Sequence, residues 1–153
     1  MSVEIGSKAP AFDMETDTGR VSLGALAGKT VVLYFYPKDD TPGCTNEGKD
    51  FSALLPDFHK AGAVVIGCSK DSLKAHARFR AKYGLTVELA SDPEGQVIDA
   101  YGSWVEKSLY GRQYMGIDRS TFVIDGQGVV RAVWHRVKVA GHAEAVLKAV
   151  QAL

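Results

Sequence analysis

Cys44 stands near the end of the segment YPKDDTPGCT, residues 36–45, which follows directly on the apolar run TVVLYF. Thr41 is a good helix N-cap residue and Pro42 a good first helical residue. A helix over 44–60 would then hold Cys44 in its first turn. Backbone N–H groups there lack intrahelical partners, and the helix dipole favours an anion. For cysteine that anion is the thiolate, the nucleophilic form. A structural cysteine gains nothing from such a place. The bland alternative is a passenger behind a good helix start. Asn46 and Glu47 occupy the place of a Cys-X-X-Cys partner, so the site is not built to exchange a disulfide of its own. A lone activated thiolate suits peroxide, acyl or alkyl electrophiles.

The other reactive types are sparse. Cys68 is the second of two cysteines and ends a strand predicted over 63–68. His59, His76, His135 and His142 show no ligand spacing with cysteine or acid, so no metal and no bound cofactor is expected. His142 could cap the last helix, and Trp104 and Trp134 read as packing residues. Lys+Arg and Asp+Glu both number 18, which gives no electrostatic reason to expect nucleic acid or an anionic membrane surface as partner. The basic stretch HARFRAK, 76–82, reads as the solvated face of a helix.

The elements that must position Cys44 follow from periodicity. Phe12 and Met14 alternate, DTG turns, and Val21 and Leu23 resume, which predicts a hairpin. TVVLYFY, 30–36, and AVVIGCS, 63–69, are nearly continuous apolar runs, as in strands covered on both faces. Phe51, Leu54, Leu55 and Phe58 fall at helical spacing between them. Leu73, Ala77 and Arg80 trace a weaker helix. In SDPEGQVIDAYG, Asp92 can cap, Pro93 suits the first helical position, Val97, Ile98 and Tyr101 share a face, and Gly102 can end it. STFVID and VVRAVW flank GQG as a hairpin, and Ala143, Val146, Leu147 and Val150 line a last helix. The pattern predicts an α/β domain over 1–153, a central mixed sheet with helices on both faces and an N-terminal hairpin. The N-terminus lacks a basic start before an apolar stretch, so no signal peptide is expected, and no run is long enough to span a membrane. Two cysteines make no disulfide scaffold, so the expected compartment is the reducing cytoplasm.

The loop with Pro37, Thr41 and Cys44 resembles the active-site signature of peroxiredoxins. VVIGCSKDS, ASDPEGQVIDAYG, WVEKSLYGRQYMGIDRSTFVID and AGHAEAVLKAV extend the resemblance over nearly the whole chain, to the bacterioferritin comigratory protein (peroxiredoxin Q) branch. The resemblance implies a thioredoxin-like fold and a thiol peroxidase acting on hydrogen peroxide and alkyl hydroperoxides. Cys44 would be the peroxidatic nucleophile. Thr41 would hydrogen-bond the peroxide, Pro37 would shield the thiolate, and Arg119 would bring fixed charge to thiolate and peroxide. Gly43 and the backbone N–H of Cys44 complete the expected substrate contacts. The loop of Tyr110, Gly111, Tyr114 and Gly116 is placed near Arg119.

The branch often carries a resolving cysteine five residues after the nucleophile. Here that position is Lys49, and the following helix has no cysteine either. Regeneration by an external thiol follows: thioredoxin by resemblance, glutaredoxin or glutathione otherwise. Cys68 is a buried hydrophobe on one reading, and a resolving residue after unwinding of helix 44–60 on the other. A monomer or weak dimer is expected. The rival function is a redox sensor or thiol-dependent binding protein that uses Cys44 oxidation as a signal.

Overall fold

The computed structural model of the protein describes residues 3–153. Seven strands form one mixed sheet: β1 (Asp13–Thr16), β2 (Gly19–Ser22), β3 (Thr30–Phe35), β4 (Ala63–Ser69), β5 (Glu88–Ser91), β8 (Ser120–Ile124) and β9 (Val130–Trp134), in the order β2-β1-β5-β4-β3-β8-β9. The central strands β3, β4 and β5 run parallel, and β1 and β8 flank them antiparallel. A separate antiparallel ribbon pairs β6 (Trp104–Leu109) with β7 (Arg112–Ile117). The helices are α1 (Pro42–Lys60), α2 (Leu73–Tyr83), α3 (Gln96–Ala100) and α4 (His142–Gln151).

Strand alternation divides the core in two. On β3, Val32, Tyr34 and the following Tyr36 face a cluster completed by Phe51, Leu55 and Phe58 of α1, Phe79 of α2 and Val146 and Val150 of α4. Val31, Leu33 and Phe35 face the opposite cluster with Ile66 and Cys68 of β4, Ile98 of α3 and Tyr101. The near-continuous apolar character of β3 and β4 thus reflects burial on both sides. Gly67 is required by this packing. A Cβ there would lie 2.7 Å from the ring of Tyr34, which crosses from the neighbouring strand.

The hairpin at residues 13–22, the two central strands, the C-terminal hairpin and the flanking helices agree with the sequence expectations. Several details do not. Strand β5 was not anticipated, because Val87 and Leu89 offer only a short alternation between a helix and a turn. Tyr110, Gly111, Tyr114 and Gly116, expected as a loop, belong to the ribbon of residues 104–117, whose tip has Tyr110 at φ 51° and Gly111 at φ 76°. The buried residues of α2 are His76 and Phe79, whereas Ala77 is exposed. Pro93 precedes α3, which starts at Gln96 after Gly95. Gly95 takes the N-cap position expected of Asp92, whose carboxylate still reaches the first turn and accepts from the Ile98 N–H at 2.8 Å. No described helix is long and apolar enough to cross a membrane.

Candidate active site

α1 begins where the sequence places it. Thr41 is the N-cap by backbone conformation, Pro42 occupies the first turn, and the Thr45 N–H donates to the Thr41 carbonyl at 2.8 Å. Cys44 is the third helical residue, so its N–H has no carbonyl one turn earlier in the helix. The Thr41 side chain does not cap. Its hydroxyl donates instead to the Lys38 carbonyl at 2.8 Å, a bond within the loop that leaves the oxygen lone pairs available.

Arg119 comes from the far side of the chain to meet this turn. Its backbone is fixed just before β8: the Asp118 N–H donates to the Ser103 carbonyl at 2.7 Å, and the Arg119 carbonyl accepts from Val137 at 2.9 Å. The Asp118 carboxylate meanwhile accepts from the Arg136 N–H at 2.9 Å and pairs with His135. From this corner Nη2 reaches Cys44 Sγ at 3.4 Å, and Nη1 reaches Glu47 Oε1 at 2.8 Å. Gly43 makes the approach possible, since a Cβ there would sit 3.0 Å from Nη2. A surface role for Arg119, the bland alternative, does not match a side chain only 19% exposed and engaged at both nitrogens.

Glu47, noticed in the sequence only as the absent partner cysteine, belongs to this constellation. It is buried, and burial pushes its carboxyl up to about 7 although Arg119 pulls the other way. Among the described residues, the buried side-chain polar atoms without a hydrogen-bond partner are Glu47 Oε2 and Thr45 Oγ1, both next to Cys44 in α1. Native proteins leave few such atoms, and those they leave call for a reason. A spacing signal existed: Cys44 and Glu47 are three apart on one helix face, within reach of one shared cation.

Pro37 is exposed at the start of the loop, and Lys49 is exposed on α1. Cys68 pairs with Phe35 across β3 and β4, so the strand end lies near the loop, and its carbonyl accepts from the Tyr36 N–H at 3.1 Å. Its side chain, however, points to the opposite face of the sheet from Cys44. There it is fully buried, with Sγ 3.6 Å from Met14 Sδ, and burial raises its thiol well above the ordinary range. His142 does not cap α4. Its Nε2 meets the Thr121 hydroxyl at 2.8 Å, and burial lowers the ring to about 4. Among the described residues no group of three His, Cys, Asp or Glu could hold a metal ion.

A cysteine in the first turn of a helix, faced by an arginine, is what the sequence resemblance implied; the buried carboxylate that holds the guanidinium was no part of it. The AhpC/TSA family pattern matches residues 5–133. The chain belongs to the AhpC/TSA family. A putative peroxiredoxin bcp of Coxiella burnetii is 52% identical over 148 residues, 96% of this chain and 98% of its own. The bacterioferritin comigratory protein of Xanthomonas campestris, whose structure is described with alkyl peroxide reduction activity, superposes with TM-score 0.90 at 46% identity, covering 98% of this chain and 96% of that one. Peroxiredoxin Q of Xylella fastidiosa superposes with TM-score 0.93 at 38% identity, covering 99% and 98%. The fold is therefore that of the thioredoxin-like peroxiredoxins, and the chain is a thiol peroxidase of the Bcp/Q branch. The signalling alternative is not favoured by these relatives.

Proposed function

We propose that Cys44 reduces hydrogen peroxide and alkyl hydroperoxides and is regenerated by a thiol from another molecule. The observation that carries this reading is the Arg119 guanidinium set between Cys44 Sγ and Glu47. The thiolate attacks the near oxygen of the peroxide. A sulfur–oxygen bond forms, the O–O bond breaks, and the far oxygen leaves with both electrons and takes up a proton as water or alcohol. Sulfur becomes a sulfenic acid. Arg119 keeps its charge at every working pH and already faces the sulfur, so it stabilises thiolate and leaving oxygen without reorganisation. The lone pairs of the Thr41 hydroxyl suit the peroxide O–H, since its own hydrogen is committed to Lys38. Gly43 contributes by its lack of a side chain, and Pro37 by bounding the loop.

The external thiol then attacks the sulfenic sulfur, water leaves, and a second thiol releases the mixed disulfide. Thioredoxin is the favoured donor, with glutaredoxin or glutathione as alternatives. Lys49 at the family's resolving position and Cys68 on the other face of the sheet support external resolution. Cys44, Thr41, Glu47 and Arg119 all come from one chain, which suits a monomer or weak dimer. Reaction with a cellular thiol pool suits the cytoplasm. The test is Cys44→Ser, which should abolish peroxide-dependent thiol oxidation. Activity close to wild type in that variant would overturn the assignment.

A further inference from the structure

His76 is buried on α2, and both of its ring nitrogens face acceptors. Nδ1 lies 2.6 Å from Asp39 Oδ2, and Nε2 lies 2.9 Å from the Ala90 carbonyl on β5. A neutral imidazole can donate from one nitrogen only, and the other would turn a lone pair onto an oxygen with no water to relieve it. An imidazolium donating at both ends satisfies both contacts with Asp39 ionised. Asp39 belongs to the loop that starts at Pro37 and ends at the N-cap Thr41. Its other oxygen accepts from the Tyr36 hydroxyl at 2.6 Å, and its N–H donates to Asp71 Oδ2 at 2.9 Å. The next residue, Asp40, has φ 58°, a left-handed conformation uncommon for a side-chain-bearing residue. It too is held from α2, by Lys82 at 2.8 Å and the Tyr83 hydroxyl at 2.5 Å.

The side chains of Asp39 and Asp40 thus tie the loop before Cys44 to α2. From this geometry we infer that His76 is a positioning residue: its doubly donating ring clamps the 37–41 loop and so holds the first turn of α1 in the closed form that faces Cys44 to Arg119. The inference rests on the reading of Cys44 as the reacting thiol. Closed, Cys44 is 2% exposed, so attack on its sulfur by a second protein requires the turn to open. The clamp therefore sets how often the site is open to a bulky thiol and how often it is closed around a peroxide.

The clamp is sensitive to pH. The titratable groups facing the ring are Asp39 and Tyr36 from the loop and the end of β3, and Asp71 from the β4–α2 turn. Burial opposes the charge, but Asp39, the Ala90 carbonyl and Asp71 outweigh it and hold His76 above its ordinary value of 6.5. A group raised on folding stabilises fully below its unfolded value and loses that share as pH rises through the folded one.

The test measures iodoacetamide labelling of Cys44, read on its peptide by mass spectrometry, in wild type, His76→Leu and Asp39→Asn between about pH 6 and 9. Labelling should quicken at least about tenfold in each variant at the acid end, because removing one partner of a buried charged pair strands the other. The variant-to-wild-type ratio should then fall toward one as pH rises, since the wild type loses its own clamp. The double variant should label no faster than the more severe single one. A ratio near one throughout, or a ratio that does not change with pH, overturns the inference. If His76→Leu fails to fold by circular dichroism, Asp39→Asn and hydrogen exchange of the wild-type Thr45 amide, which donates to the Thr41 carbonyl, decide it. Protection there, corrected for intrinsic rate, must weaken as pH rises. Peroxidase activity surviving in Cys44→Ser would instead remove the reading beneath the inference, a failure distinct from either labelling result.

Discussion

Replacing Glu47 by glutamine should make the protein more stable in alkali and a slower enzyme. The carboxyl is buried and held up to about 7, against an ordinary value of 4.5. Burial is the larger cause, and the ion pair with Arg119 recovers only part of it. The folded state therefore binds this proton more tightly than the unfolded chain. Stability falls as pH rises from 4.5 through about 7, and the full cost, about 3 kcal/mol, is present above both values. Glutamine has the size of the neutral acid and no charge to lose. Guanidinium unfolding of the two reduced proteins, followed by tryptophan fluorescence, measures the gap. Other titrating groups are common to both proteins and drop out of the difference. The variant's advantage should grow from under about 1 kcal/mol near pH 5 to about 3 kcal/mol near pH 8.5. Its peroxide rate should fall, because Arg119 loses the anion that aims it at Cys44. A stability gap that stays constant with pH, or a variant weaker in alkali, would refute the reasoning.

Arg119→Met should slow the second-order reaction with peroxide by roughly 100–1000-fold, the range for a lost oxyanion donor. Stopped-flow rates within about twofold of wild type would deny the residue that role. Cys68→Ser should keep most of its turnover with an external thiol and lose about 1–3 kcal/mol of stability from a buried hydroxyl. Oxidised wild type should be trapped by dimedone at Cys44, whereas a Cys44–Cys68 disulfide by mass spectrometry would contradict external resolution. Gly67→Ala should cost about 1–3 kcal/mol in chemical denaturation by forcing Tyr34 aside, and an unchanged midpoint would show that the ring moves freely.

The sequence conveyed the place of Cys44 and its helix start because both depend on neighbours in the chain. Thr41, Pro42 and Cys44 are a local pattern, and β3 and β4 are legible from unbroken apolar runs. Arg119 needed the family resemblance, since 75 residues separate it from Cys44 and a lone arginine at a strand start has no local signature. Glu47 was overlooked because a buried acid is recognisable only once its cation is in place. The Thr41 cap failed for a related reason: the bond to the Lys38 carbonyl turns the side chain back into a loop that contacts from α2 hold. Likewise His76 could not be distinguished from a solvated residue in HARFRAK without β5 and Asp39 beside it. Strand β5 owes its place to pairing with β4 and β1 more than to its own four residues.

The sheet that runs between Cys44 and Cys68 also bears on the kinetic order of the cycle proposed above. A chain with both thiols on one side could close its own disulfide at a rate independent of concentration. Here the two sulfurs are on opposite sides of β3 and β4, so under the external resolution proposed above reduction of the sulfenic acid is bimolecular, and its rate tracks the reductant supplied. The oxidised fraction then measures the ratio of peroxide to free thiol around the protein. When thiols run short the sulfenic acid persists, and a second peroxide can carry it to the sulfinic acid before any reductant arrives.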